Sequence, residues 1–304
     1  KTLQQYSVSI AIAVGVVAEK IRHNKSLDEL VLVSLARAGT PIGILIKRYY
    51  EQKYNKSIPH YSISIIRNRG IDETALLFIL NKHPKSKIQF IDGWTGKGAI
   101  TKELTAACEV FNIKYGTSID DSLAVLADPG YCADIYGTRD DFLIPSACLN
   151  STVSGLVSRT VLNKEYVKAG DFHGAKYYEQ LAHIDVSDYY ISEVVKHYDS
   201  IHDEVMERLE WEVQSPNWNG MESVKRIQQQ FGIKNIHHVK PGVGETTRVL
   251  LRRLPWKILV NPKYDEYLQH IYLLAQERGV LVEPYTDMDY SCCGLIKELN
   301  VWEY

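Results

Sequence analysis

Residues 88–104, IQFIDGWTGKGAITKEL, run from an apolar stretch through Asp92 and the glycines Gly93, Gly96 and Gly98 into a helix-forming segment. Glycines between a strand and a helix leave backbone N–H groups free to face an anion, and the helix dipole favours negative charge there. The stretch therefore reads as an anion cradle, with Gly93, Thr95, Gly96 and Gly98 as phosphate-binding positions and Lys97 adding charge. An ionised Asp92 at the strand tip can accept hydrogen bonds from vicinal hydroxyls, so a pentose carrying a phosphate would satisfy both halves. A plain helix cap is the alternative for Asp92. A nucleoside-triphosphate loop is excluded, because Gly93 lies only three residues before Gly96 and Lys97 is followed by Gly98 rather than Ser or Thr. The glycine spacing also fails the dinucleotide fingerprint. Trp94 is open between stacking on a base and sealing a domain seam.

Other residues could serve the same edge. Arg67 and Arg69, in SIIRNRGID, follow an apolar run and read either as substrate contacts or as a solvated turn, while Asp72 reads as a helix cap. Residues 127–160 are rich in small and polar side chains, and long loops beyond strand ends tend to carry function. Within them Asp128, Asp140 and Asp141 could contact a ribose or a base, or simply cap turns; Arg159 with Ser151, Ser154 and Ser158 could line an anion site or lie along a helix face. A different chemistry is a thiol hydrolase with Cys148 as nucleophile and His173 or His183 as base. The apolar IPSACL setting makes a buried structural thiol the plainer reading of Cys148.

These residues need elements to position them. LVLVSLA (30–36), SISII (62–66), IQFID (88–92) and LAVLAD (123–128) read as strands separated by helices, the pattern of an α/β doubly wound, mainly parallel sheet with its ligands beyond the carboxyl ends. VSIAIAVGVVA (8–18) is too short to cross a bilayer and reads as a helix buried against that sheet rather than a signal-peptide core. The chain starts at Lys1 without Met, so a preceding segment is expected. From about 150 to 232 strand signals fade and DVSDYYISEVVKHYDSIHDEVMERLEWEV shows helical spacing, a helical extension. After the turn-rich SPNWNG a small C-terminal α/β sandwich opens: helix GETTRVLLRRL, strand WKILV, helix DEYLQHIYLLAQERG, strand VLVEPY and a last short helix near CCGLIKEL. The expected domains are 1–215 and 220–304. A net charge of -2 argues against wholesale coating of nucleic acid. The five cysteines form no CxxC pair, which fits a reducing cytosol and gives no zinc site; Cys292 and Cys293, being adjacent, must face different directions.

The loop DGWTGKG, with its acidic strand tip, resembles that of type I phosphoribosyltransferases, and LARAGTPIG resembles their pyrophosphate loop. That resemblance implies Asp92, Arg37 and Lys97 as catalytic residues, Ala38 and Gly39 as further phosphate-binding positions, and Trp94, Arg67, Arg69 and Asp128 on the substrate side. It implies phosphoribosyl pyrophosphate as donor, a Mg2+ ion bridging it, and transfer to an unidentified small-molecule acceptor. More specifically, VLVSLARAGTPIG, YSISIIRNRGID, IQFIDGWTGKGAI, FLIPSACLNSTVSGLVSRTV and VKPGVGETTRVLLRRLPWKILV look like a bacterial family of tellurite-resistance and stress-response clusters. Its members are described both as phosphoribosyltransferase-like proteins with a pelota-type RNA-binding domain and as StiP cysteine proteases. The glycine turn and basic helix imply structured RNA as a partner, held by Lys240, Gly242, Gly244, Glu245, Arg248 and Arg252. The expectation is a cytoplasmic phosphoribosyltransferase; the alternatives are the Cys148 protease and a non-catalytic, ligand-sensing RNA-binding regulator.

Overall fold

A computed structural model describes residues 2–148, 151–209 and 215–296. The chain opens with α1 (Thr2–Asn24), whose middle turns from Ile10 to Ile21 are almost entirely buried against the main sheet. There follow β1 (Leu30–Ala36), α2 (Gly39–Tyr54), β2 (His60–Ile66), β3 (Gly70–Ile71), α3 (Glu73–Lys82), β4 (Lys87–Trp94), α4 (Ala99–Tyr115), β5 (Leu123–Ala127) and β6 (Ile135–Thr138). They make one sheet in the order β3-β2-β1-β4-β5-β6, parallel except for the short edge strand β3. Continuous apolar runs such as LVLVSLA form these strands because both faces of a parallel sheet are covered. Leu30, Leu32 and Ile91 face α1 and α2, whereas Val31, Val33 and Phe90 face α3 and α4. The strand order reverses between β1 and β4, so the crevice beyond their carboxyl ends is where a ligand belongs.

Beyond the sheet, α5 (Pro145–Cys148) precedes β7 (Val157–Val161) and β8 (Gly174–Tyr177), an antiparallel pair. The expected purely helical extension is corrected here. The strands of this ribbon are half open to solvent and carry polar residues, so they show no apolar alternation. The expected helices do form, as α6 (Ser187–Val195) and α7 (His202–Glu207), and pack on α1.

The C-terminal unit comprises α8 (Asn219–Gln230), β9 (Val239–Pro241), α9 (Gly242–Arg252), β10 (Pro255–Val260), α10 (Gln269–Glu277), β11 (Leu281–Pro284) and β12 (Cys292–Ile296). Its sheet runs β11-β10-β12-β9. In place of the short helix expected near CCGLIKEL, Cys292–Ile296 is β12, an inner strand hydrogen-bonded to β10 and β9; residues 297–299 of that segment lie outside the described residues. Cys292 and Cys293 point to opposite sides of it, into separate apolar clusters, and Gly294 lets α9 lie close: a Cβ there would sit 3.2 Å from Val249. Both cysteines are fully buried.

The two units meet along a seam of directional bonds. Lys97 Nζ donates to the carbonyls of Ile236 (3.0 Å) and Val239 (2.9 Å). The Asp141 carboxylate accepts the Val243 and Ser291 N–H groups, each at 2.9 Å, and Tyr290 Oη donates to Gly96 O at 2.8 Å. Trp94 fills the space beside Gly242, where a Cβ would fall 2.3 Å from the indole. Trp94 thus takes the seam position, one of the two roles open to it, and it also borders a cleft beyond the strand ends.

Candidate functional site: a cationic cleft at the seam

Beyond the carboxyl ends of β1, β2 and β4, and closed on one side by the start of α9, lies a cleft of about 640 Å³. Among the expected site residues Arg37, Ala38, Arg67, Asp92, Trp94, Thr95, Gly96, Lys97 and Gly98 line it. Residues Lys240, Gly244, Glu245 and Arg248 of the C-terminal unit face the same space. Positions expected to serve a sugar phosphate and positions expected to serve RNA thus form two walls of one cavity.

Several expectations about individual residues are corrected. β4 continues through Asp92, Gly93 and Trp94, so the glycine loop is only Thr95–Gly98. Gly93 does not line the cleft, and its N–H is turned to the Asp92 carboxylate at 2.7 Å. Gly39 is sealed behind β4, where a Cβ would lie 2.4 Å from Ile91 O. Asp128 is wholly buried and takes no part in the cleft: it accepts the Cys132 N–H (2.9 Å), the Ala133 N–H (3.0 Å) and the Thr95 hydroxyl, and it pairs with Arg139. It is the hub of the turn after β5. Arg69 sits on the exposed turn between β2 and β3, outside the lining. Gly242 is covered by Trp94, and Arg252 is exposed at the far end of α9. Asp72 caps α3 through the Ala75 N–H at 2.9 Å, as its position predicts.

The electrostatics are lopsided. Among the described residues six cationic side chains, Arg37, Arg67, Lys97, Arg159, Lys240 and Arg248, line the cleft against the two carboxylates of Asp92 and Glu245. Glu245 is already shared by Arg248 (2.8 Å) and Lys240 (3.5 Å), which helps hold its carboxyl below the usual range despite burial. Burial pushes Asp92 up to about 7, with the Gly93 N–H and the Arg248 charge opposing the rise. Lys97 is brought down to about 8, first by burial and then by Lys240. Arg37 is lowered by burial and by the neighbouring Arg159, and its Nη1 donates to Val157 O at 2.9 Å.

Sequence reasoning missed Thr101, Ser146 and His237, all of which line the cleft. The Thr101 and Ser146 hydroxyls are buried without a hydrogen-bond partner. A hydroxyl in the first turn of a helix after a glycine loop was the available signal for Thr101; nothing in the sequence joins His237 to residues 140 positions earlier.

The cysteines separate cleanly. Burial pushes Cys108, Cys132 and Cys293 up to about 12, the opposite of an activated thiol. Cys148 ends α5, the short helix that brings Ser146 to the cleft wall; its side chain lies outside the described residues. The bases expected for it are placed elsewhere. His173 shares Nδ1 with Ser64 Oγ at 2.8 Å and does not line the cleft, and His183 is exposed on the 3-10 turn Glu179–Ile184.

A mainly parallel α/β sheet whose switch-point crevice is walled by a second, smaller α/β unit defines a two-part protein with its site at the seam. The family profile described as tellurite-like stress resistance cysteine protease StiP matches residues 1–195, and that of the PELOTA RNA binding domain matches residues 218–298. The protein named cysteine protease StiP from Acinetobacter baylyi is 34% identical over 292 residues, covering 90% of this chain and 73% of its own. The chain belongs to the StiP family. These matches overturn the phosphoribosyltransferase expectation, since family and relative alike carry the description of a cysteine protease. The pyrophosphate donor and the magnesium ion are tied to that reaction and are not carried forward. Among the described residues no helix is long and apolar enough to cross a membrane.

Proposed function

We propose that the chain is a cysteine protease working in the seam cleft, with Cys148 as nucleophile. The observation that supports this most directly is the placement of α5, which contributes Ser146 to the cleft wall two residues before Cys148, while the other four cysteines are buried. Among the described residues His237 is the histidine that lines the same cleft. Burial and the nearby Arg67, Lys97 and Lys240 hold its pKa below the ordinary value, which favours the neutral ring a general base needs; Arg67 Nη2, 3.4 Å from its Nε2, moves aside when the ring takes the thiol proton. The Cys148 thiolate then adds to the scissile carbonyl, the C–N bond breaks with the imidazolium proton passing to the leaving amine, and water hydrolyses the thioester to regenerate the thiol. The cations of the cleft stabilise the oxyanion formed on the way.

The loops at Arg37 and Thr95–Gly98 support a type I phosphoribosyltransferase-like scaffold as the framework, used here for a different reaction. The PELOTA match supports structured RNA as a partner of the C-terminal unit, reached through the exposed Arg252 side of α9.

The test is selective alkylation followed by turnover. Iodoacetamide on the native chain should modify Cys148 and spare the buried thiols. Cys148→Ala and Cys148→Ser should lower hydrolysis of a peptide library by about a thousandfold or more, with unfolding midpoints unchanged. Full activity of Cys148→Ala would end the proposal.

A further inference from the structure

Unpaired charge is costly to gather in a fold, and the cleft gathers a great deal of it. Arg37, Arg67, Lys97 and Arg159 have no carboxylate partner within ion-pair distance among the described residues; Lys97 donates to two backbone carbonyls, whereas Arg37 gives Nη1 to the Val157 carbonyl and keeps the rest of its guanidinium for a ligand. Lys240 and Arg248 divide one carboxylate between them. The whole chain carries a net charge of -2, so this concentration of positive charge is local and opposes the average. The cations come from separate elements: Arg37 after β1, Arg67 after β2, Lys97 before α4, Arg159 on β7, Lys240 on β9 and Arg248 on α9. Only folding brings them together. Thr101 and Ser146 also line the cleft, and their buried hydroxyls have no hydrogen-bond partner.

We infer that the substrate drawn into this cleft is an acidic stretch of polypeptide, its carboxylates held by Arg37 and Arg159 on one wall and by Lys240 and Arg248 on the other. This rests on the protease reading only in treating the ligand as a substrate; the binding itself stands on the charge arrangement. Guanidinium groups pair with carboxylates through parallel N–H···O bonds, and a cationic crevice with low-dielectric walls accelerates capture of an anionic chain. A nucleic acid suits the cleft less well. Recognition of single strands relies on aromatic faces free to stack on bases, whereas among the described residues the one aromatic ring other than His237 on the lining, Trp94, is packed against Gly96 and Gly242.

Binding can be read apart from turnover in the full chain carrying Cys148→Ala. Fluorescein-labelled decaglutamate should bind at low ionic strength about tenfold or more tightly than labelled decaglutamine, and the difference should shrink as salt is added. Adding Arg159→Glu should weaken decaglutamate about tenfold. Arg69→Glu, the same charge change on the exposed turn outside the cleft, should alter it by less than about twofold. An unchanged unfolding midpoint certifies Arg159→Glu as folded; if it does not fold, Arg159→Gln in the same titration decides. Equal binding of the two peptides, indifference to the Arg159 substitutions, or displacement of decaglutamate by a much tighter-binding oligouridylate would each overturn the inference. Persistent decaglutamate binding together with undiminished proteolysis by Cys148→Ala would instead remove the thiol mechanism and leave the acidic ligand in place.

Discussion

Asp92 should make the protein lose stability as pH rises, and Asp92→Asn should abolish that loss. The carboxyl is buried at the end of β4, and its pKa is lifted from 3.8 to about 7. A carboxyl raised in the fold favours its protonated form there. Its contribution to stability is complete below about pH 4, declines as the unfolded chain ionises while the folded one does not, and is gone above pH 7. At about 1.4 kcal/mol for each tenfold difference in proton affinity, the full excursion is about 4 kcal/mol. Asparagine is nearly isosteric, cannot ionise, and its Oδ1 still accepts the Gly93 N–H now bonded at 2.7 Å. Its amide beside the Arg248 charge offsets part of the gain, so Asp92→Asn should be about 2–4 kcal/mol more stable than wild type at pH 8.5. Near pH 4 the two should be alike or the variant slightly weaker. Urea unfolding at pH 4.5, 6 and 8.5 measures this directly, because every other titrating group is common to both proteins. A stability difference that stays constant across those pH values would refute the assignment of a raised pKa to Asp92.

Two further substitutions probe the seam. Gly242 has φ of +83° and faces the Trp94 ring, so Gly242→Ala should cost about 2–5 kcal/mol through backbone strain and overpacking, whereas Gly116→Ala, at φ of +65° with open space around it, should cost only about 1–2 kcal/mol; equal losses in urea unfolding would show that the indole yields easily. Asp141→Ala strips the acceptors from the buried Val243 and Ser291 N–H groups and should cost about 2–5 kcal/mol, seen as earlier unfolding of the C-terminal unit by amide hydrogen exchange at α9 and β12, and unaltered exchange there would show that the carboxylate does not hold the seam.

The sequence made the main sheet legible because β1, β4 and β5 are apolar runs, the pattern of strands buried on both faces, and β2 alternates serine with isoleucine, each lying between turns and helices. Strands without that signature were missed: the β7–β8 ribbon is half solvated, and β12 is a five-residue segment, CCGLI, whose small residues fit a strand as well as a helix. Asp92 and Asp128 look equivalent in sequence, each an acid at the end of an apolar strand. What separates them is their neighbours. Arg139, lodged over Tyr131 and Tyr136, and the Thr95 hydroxyl close around Asp128, whereas Asp92 receives one backbone N–H and opens onto the cleft. Likewise no spacing rule links Arg37, Arg159 and Arg248; their convergence is a property of the seam.

That seam also explains why the C-terminal unit cannot be regarded as an appendage to the catalytic reading. It supplies Lys240, Arg248 and His237 to the cleft, and its Val243 and Ser291 N–H groups grip Asp141, four residues before α5 begins. The segment that carries Cys148 is therefore tied to the same contact that places the second wall, and α5 itself packs against α9. A ligand that shifts α9 would act on both the cationic wall and α5, which carries the proposed nucleophile, because the Asp141 bonds and the α5 contact join them through buried, directional groups. RNA held on the exposed side of α9 and peptide held in the cleft would then compete or cooperate through a single element, and the sign of that coupling depends on whether the RNA-bound position of α9 opens or closes the space between Arg248 and Arg37.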